Sequence, residues 1–170
     1  MAKNILICGV GGQGTVLAAK VLSQAALSCG ERVLSAETIG MAQRGGSVVS
    51  HVRIGNDVFS PLIPKGQADV IIAFEAAEAV RNISYLKPDG TVIINDKIIQ
   101  PVTASLTGKT FSTATMIDFL KNSFKNVIVV NTDEFCNKLG STKVANIVLL
   151  GAACKTGLID REQLKDALKL

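Results

Sequence analysis

The chain lacks paired cysteines. Cys8, Cys29, Cys136 and Cys154 are widely scattered, and no C-x-x-C pair is present to begin a zinc or iron–sulfur site. Each lies in an apolar stretch, where a free thiol commonly packs as a small hydrophobe, a usage that suits a reducing compartment. Any cluster on which the protein depends must then lie in another chain. Histidine is scarcer still: His51 stands alone, which argues against a local histidine-based metal site. Charge of one sign is not in excess. Eighteen Lys and Arg against fourteen Asp and Glu leave +4, with no run of like charges, so a dedicated nucleic-acid protein is not implied. The longest strongly apolar stretch, around Ile147 to Cys154, falls far short of the ~20 residues of a membrane span. Met1-Ala2-Lys3 before Asn4–Cys8 is too short, and too soon broken by Gly9, to be a secretory signal. These absences lead to the expectation of a cytoplasmic chain with no nucleic-acid and no membrane partner.

What is present is a core. With 170 residues, 48% of them hydrophobic and 19% charged, the chain is expected to fold as one domain spanning 1–170. No linker or repeat of fixed period appears, and short β-rich runs alternate with helical patterns, the signature of a parallel sheet covered by helices. Strands are expected at Asn4–Cys8, Arg32–Ala36, Asp69–Phe74, Thr91–Asn95 and Val127–Asn131. Helices are expected at Thr15–Cys29, about Glu75–Tyr85, about Asp133–Leu139 and Thr142–Lys155, the last nearly all apolar and so buried. Pro88-Asp89-Gly90 reads as a turn. Asp160 reads as the N-cap of a final helix that points Leu164, Ala167 and Leu168 inward. One place breaks the alternation. Val48–Ile54 has two distinct faces, and Gly55-Asn56-Asp57 then leads into Val58-Phe59, which reads as a β-hairpin inserted after the second strand. His51 and Arg53 project from one face of it, where a lone histidine is expected at the surface. The fold expected is α/β, a three-layer Rossmann-like sheet, mostly parallel, with an inserted β-hairpin.

Two glycine-bearing motifs carry the functional signal. Gly9-Val10-Gly11-Gly12-Gln13-Gly14 contains G-x-G-x-x-G between a strand and a helix, the context that a dinucleotide-binding fingerprint requires. Glycines permit the tight turn, and N–H groups at a helix N-terminus face an anion. Thr15 stands where a Walker lysine would be, so this is no P-loop. Glu37, 23 residues beyond Gly14, is near the ~20 expected of an acidic ribose ligand. The spacing leaves two readings open: nucleotide binding, or glycines that merely let strand, turn and helix pack closely.

The second motif, Gly40 to Ser47, brackets Gln43 and Arg44 with glycines. Gly45-Gly46 lets the backbone approach a ligand or partner, and Arg44 suits a two-pronged grip on carboxylate or phosphate. A solvated turn is the plainer alternative. No acid–base pair or nucleophile–base arrangement appears elsewhere, so the chain looks incomplete as a catalyst.

The first motif, followed by Gln43-Arg44-Gly45-Gly46-Ser47 running into Ser50-His51-Val52-Arg53-Ile54, resembles the gamma subunit of 2-oxoacid:ferredoxin oxidoreductases. Within that family it is most similar to the small (beta) subunit type of indolepyruvate:ferredoxin oxidoreductase. Asp69–Glu75, Tyr85–Thr91 and Ala145–Gly151 extend the resemblance over nearly the whole chain, although related small subunits commonly carry more chain beyond the helix ending here at Leu170. The resemblance implies a part in the oxidative decarboxylation of a 2-oxo acid to an acyl-CoA, with electrons passed to ferredoxin. It implies thiamine diphosphate and 4Fe–4S clusters in large partner subunits, coenzyme A in the complex, and no cofactor and no catalytic residue in this chain. Gly9, Gly11, Gly12, Gln13, Gly14, Glu37, Gln43, Arg44, Gly45, Gly46 and Ser47 are then the residues expected to face the partner and its cofactor. A stand-alone NAD-dependent enzyme is the main alternative, and a ligand-sensing or scaffold module a third. An obligate subunit should expose a larger apolar patch than a monomer, so a homodimer of the isolated chain is also expected to be possible; the mean hydropathy of +0.36 is compatible with that. Replacing Arg44 with Ala is expected to impair assembly or turnover of the complex, and full activity of an intact Arg44→Ala complex would refute that role.

Overall fold

A strand buried on both faces needs helices on both sides of its sheet, and β1 (Lys3–Val10) is such a strand, buried from Asn4 onward. The computed structural model describes residues 2–39, 45–97 and 112–169. After β1 come α1 (Thr15–Ser28), β2 (Val33–Ile39), β3 (Ser47–Ile54), β4 (Ala68–Ala73) and α2 (Ala76–Asn82). Then follow β5 (Leu86–Asn95), α3 (Thr113–Ser123), β6 (Asn126–Val130), α4 (Thr132–Leu139), α5 (Ala145–Ala153) and α6 (Arg161–Ala167). The six strands form one sheet in the order β2-β3-β1-β4-β5-β6. β1, β4, β5 and β6 pair in parallel, and β3 runs antiparallel to both of its neighbours.

Each face carries its own core. Ile5, Ile7 and Val52 pack with Leu22 of α1, Leu149 of α5 and Leu164 of α6. On the other side Leu6, Cys8 and Ile71 pack with Ala79 of α2 and Ile117 and Leu120 of α3. Each fully buried Leu or Ile contributes roughly 1.5–3 kcal/mol, so the two layers of helices are held by apolar contact. The mostly parallel α/β sheet is therefore as expected.

The inserted antiparallel element is present, but with another partner. β3 pairs along its length with β1 and with β2, and Val58-Phe59 form no strand. Two residues ahead of Ser60-Pro61 are too few to build a ladder, because proline donates no N–H. The following segment is held by side chains instead: Arg53 Nη1 donates to the carbonyls of Ser60 and Leu62, at 2.9 and 3.2 Å. Pro88-Asp89-Gly90 is likewise not a turn between elements. It lies inside β5, where the pairing jumps from Ala68↔Leu86 to Val70↔Thr91.

Further corrections follow from packing. α3 was not expected, although Ser112 caps it and Ile117 and Leu120 recur at helical spacing. α5 is only half sunk, with Ile147 and Gly151 exposed, and Leu168 is 39% exposed and not fully inward. Cys29, the C-cap of α1, is exposed and not packed as a hydrophobe.

His51 is buried, not at the surface, with 4% of its area exposed. Its Nδ1 accepts the Ile63 N–H at 3.2 Å, and its ring meets Tyr85 edge-on at 5.7 Å. Burial holds the imidazole below its ordinary pKa. The unfolded chain therefore binds the proton more readily, so the stability His51 contributes is present above the unfolded value of about 6.5 and is lost as pH falls through it. Melting temperature is expected to drop between about pH 7.5 and about pH 5.5. His51→Asn, which keeps an acceptor but does not titrate, should show a smaller drop; equal drops in both proteins would refute the assignment.

Candidate functional site

The C-terminal ends of the parallel strands, where β1 leads to one face and β4 to the other, form the crevice in which open α/β sheets place ligands. The first glycine motif lies there, directly after β1. Gln13 folds back on the strand: its Oε1 accepts the Val10 N–H at 2.7 Å, and its own N–H donates to the Val10 carbonyl at 3.1 Å. Gly12 (φ 100°) and Gly14 (φ 87°, the N-cap of α1) are left-handed, which explains glycine at both. Gly9 is glycine for space, since a Cβ there would stand 2.6 Å from Gln13 Oε1, 2.7 Å from Thr15 Cγ2 and 2.9 Å from Phe74 Cβ.

The structure brings the two motifs together. The Gly46 carbonyl accepts the Gly11 N–H at 2.8 Å, and Ser47 pairs with Val10 at the last rung of the β1–β3 ladder. Ser47 Oγ in turn donates to Glu78 Oε2 at 2.5 Å. Gln43 and Arg44 lie outside the described residues. Gly45 is left-handed and exposed.

Glu37 is not brought in. It is exposed on the edge strand β2, opposite Ser50. In a dinucleotide fold the second strand flanks the first. Here β3 stands between them, so Glu37 lies two strand spacings from β1, about 10 Å in place of about 5 Å. With the Gly11 N–H also committed to Gly46, the nucleotide-binding reading loses both its ribose ligand and one of its anion donors.

Beside the glycine turn opens a cleft of about 420 Å³. Its floor is rigid: Thr132 Oγ1 donates to Asn95 Oδ1 at 2.9 Å, and Asn95 Nδ2 donates to the Phe74 carbonyl at 3.2 Å. Lys97 reaches Asp133 at 3.0 Å on the rim, and buried Asn146 closes the wall so near Gly14 that a Cβ there would be 3.2 Å from its Nδ2. Asn95, Lys97, Thr132 and Asn146 were not among the residues expected at the site. Asn146 lies in the Ala145–Gly151 stretch that carried part of the resemblance, and that was the one available signal.

These groups can hydrogen-bond and orient a ligand. Cys8 donates to the Glu78 carbonyl at 3.5 Å, and its thiol is pushed far up by burial and by the Glu78 and Glu75 carboxylates, so it is inert. Among the described residues no three His, Cys, Asp or Glu are grouped to hold a metal.

A Rossmann-like sheet with one antiparallel strand, and two clasped glycine loops at its ligand-binding edge, defines a domain that presents a cleft beside those loops. A family model described as pyruvate ferredoxin/flavodoxin oxidoreductase matches residues 4–170, and the chain belongs to that family, in its small gamma-subunit type. Indolepyruvate oxidoreductase subunit IorB of Archaeoglobus fulgidus is 46% identical over 152 residues, covering 89% of this chain and 75% of that one. The pyruvate/ketoisovalerate oxidoreductases common subunit gamma of Pyrococcus furiosus is 29% identical over 164 residues, covering 95% and 82% respectively. The keto/oxoacid ferredoxin oxidoreductase gamma subunit of Geobacter sulfurreducens shares the fold with a TM-score of 0.67 at 25% identity, over 98% of this chain and 84% of its own.

Gly9→Ala is expected to cost about 2–3 kcal/mol through overpacking against three close atoms. Gly12→Ala, where a Cβ meets open space, should cost only the ~1–2 kcal/mol of left-handed strain. Urea denaturation of both variants checks this, and a Gly9→Ala protein as stable as the parent would refute the packing account.

Proposed function

We propose that the chain works as the small subunit of a complex that oxidatively decarboxylates a 2-oxo acid to its acyl-CoA and passes the electrons to ferredoxin. The observation that carries this reading is the clasp of the two glycine motifs beside a cleft, in a chain of this family. Thiamine diphosphate and iron–sulfur clusters belong, on this reading, to larger partner subunits, where they supply the carbon–carbon cleavage and the electron path. The chain's own part is to complete the enclosure and to receive the acyl acceptor. The Gly12 turn, Lys97 and Asn146 offer polar, donor-rich contacts to an anionic ligand such as coenzyme A. The Asn95–Thr132 floor keeps them in place.

The substrate of the complex is proposed to be an aryl 2-oxo acid of the indolepyruvate type. Support comes from the higher identity to a relative named for indolepyruvate, 46%, than to one named for pyruvate and ketoisovalerate, 29%. No described helix is long and apolar enough to cross a membrane, and four free cysteines suit a reducing compartment, so the cytoplasm is the proposed location.

The test is an anaerobic affinity pull-down of the tagged chain from native extract, analysed for partner, iron and thiamine diphosphate. The partner complex is then assayed for ferredoxin reduction with indolepyruvate, pyruvate and 2-oxoglutarate. A large partner carrying both cofactors, with indolepyruvate turned over fastest, is expected. Recovery of the chain alone, binding NAD, would overturn the reading.

A further inference from the structure

Glu78 is a carboxylate in an apolar place. It lies on α2 beside Ala76 and Ala79, in the core under β1 and β4, with 2% of its area exposed. Burying such a charge costs several kcal/mol unless its oxygens are matched by partners. Both are: Arg81 Nη1 reaches Oε1 at 2.5 Å, and Ser47 Oγ reaches Oε2 at 2.5 Å. The two partners differ in kind. Arg81 is one helical turn away and largely exposed, so it satisfies charge from the surface. Ser47 lies 31 residues earlier in the chain, at the first residue of β3. It is the residue after Gly46, whose carbonyl accepts the Gly11 N–H of the glycine turn at 2.8 Å.

Arg81, Glu78, Ser47, Gly46 and Gly11 therefore form one path from the surface of α2 to the glycine turn, whose next residues, Gly12 to Gly14, line the cleft. The helix itself does not need an acid at this position: the neighbouring core positions are alanine, which packs there at no electrostatic cost. We propose that Glu78 is a positioning residue. Acting through Ser47, it fixes the glycine turn at the cleft edge and so sets affinity for the thiol acyl acceptor, coenzyme A, without contacting it. This rests on the functional reading above.

The experiment uses the purified complex carrying Ser47→Ala, Glu78→Ala or Glu78→Gln in this subunit. Loss of a hydrogen bond to a charged group, worth roughly 1.5–3 kcal/mol, translates into an increase in KM for coenzyme A of about tenfold or more in the two alanine variants. The KM for the 2-oxo acid and the rate of cluster reduction in a single turnover without coenzyme A should stay within about twofold. Glu78→Gln, whose amide oxygen still accepts from Ser47, should lie within about threefold of the parent. Hydrogen–deuterium exchange of the 9–14 segment should be faster in Ser47→Ala. An unchanged KM for coenzyme A in Ser47→Ala overturns the proposal, and so does an equal loss in both half-reactions, which marks a purely structural role. If Glu78→Ala fails to assemble, Ser47→Ala, outside the core, decides. A parent complex that shows no coenzyme A-dependent turnover overturns the functional reading instead, and the exchange rates of the isolated full chain then report separately whether the Glu78–Ser47 link holds the turn.

Discussion

The register of β3 against β1 is the constraint on which the site depends. Eight consecutive pairs run from Lys3↔Ile54 to Val10↔Ser47. A slip of one residue would turn Val52 and Ile54 away from the α1 face and drive His51 and Arg53 into it, so burial fixes the alignment. The same alignment delivers Ser47 to the end of β1, puts the Gly46 carbonyl on the Gly11 N–H, and brings Ser47 Oγ within reach of α2. Gly11 and Gly46, 35 positions apart in the sequence, thus meet through strand pairing, and the two motifs become one structure.

How much of this was legible in the sequence varies with the range of the interaction. Local signals read well: the buried run of β1, the glycine turn, the Asp160 cap that accepts from Glu162 and Gln163 N–H, and the alternation that makes the sheet mostly parallel. The choice of partner for β3 is a long-range matter, and there the local turn signal Gly55-Asn56-Asp57 pointed to the wrong neighbour. The burial of His51 follows from that choice, because β3 as a central strand has both faces covered, whereas a surface hairpin has one. Glu78 was invisible for a related reason. Ala-Ala-Glu-Ala-Val-Arg reads as an ordinary exposed helical stretch with an acid and a base one turn apart, and only the arrival of Ser47 from β3 makes the carboxylate a buried anchor.

Apolar residues stand exposed on the cleft side of the molecule and beyond it. Leu17, 54% exposed, lines the cleft next to the glycine turn, and Phe135, Leu139 and Ile147 are exposed on α4 and α5. At the far side β6, Asn-Val-Ile-Val-Val, pairs only with β5 among the described residues and carries no charge along its length. An apolar edge strand invites pairing with another chain unless something covers it. Exposed apolar side chains beside and beyond a cleft are a surface that a partner can cover, in line with the subunit role proposed above.

The glycine turn departs from the nucleotide-binding geometry that its sequence suggests. In a dinucleotide fold the turn after the first strand offers free N–H groups to a pyrophosphate, and the adjacent second strand ends in the acid that holds the ribose. Inserting one antiparallel strand changes both at once. It moves Glu37 a further strand spacing outward, and it delivers the Gly46 carbonyl to the turn in the place where a ligand oxygen would accept. The glycines persist because their reasons are conformational: Gly9 has no room for a Cβ, and Gly12 and Gly14 are left-handed. What remains open to the cleft is Gly12 of the turn and, across from it, Lys97 and Asn146, over a floor where Asn95 bonds Thr132 and the Phe74 carbonyl. The same sequence fingerprint is therefore held here by a neighbouring strand, and on the proposed reading it shapes one wall of the cleft; the antiparallel strand beside it is the physical reason.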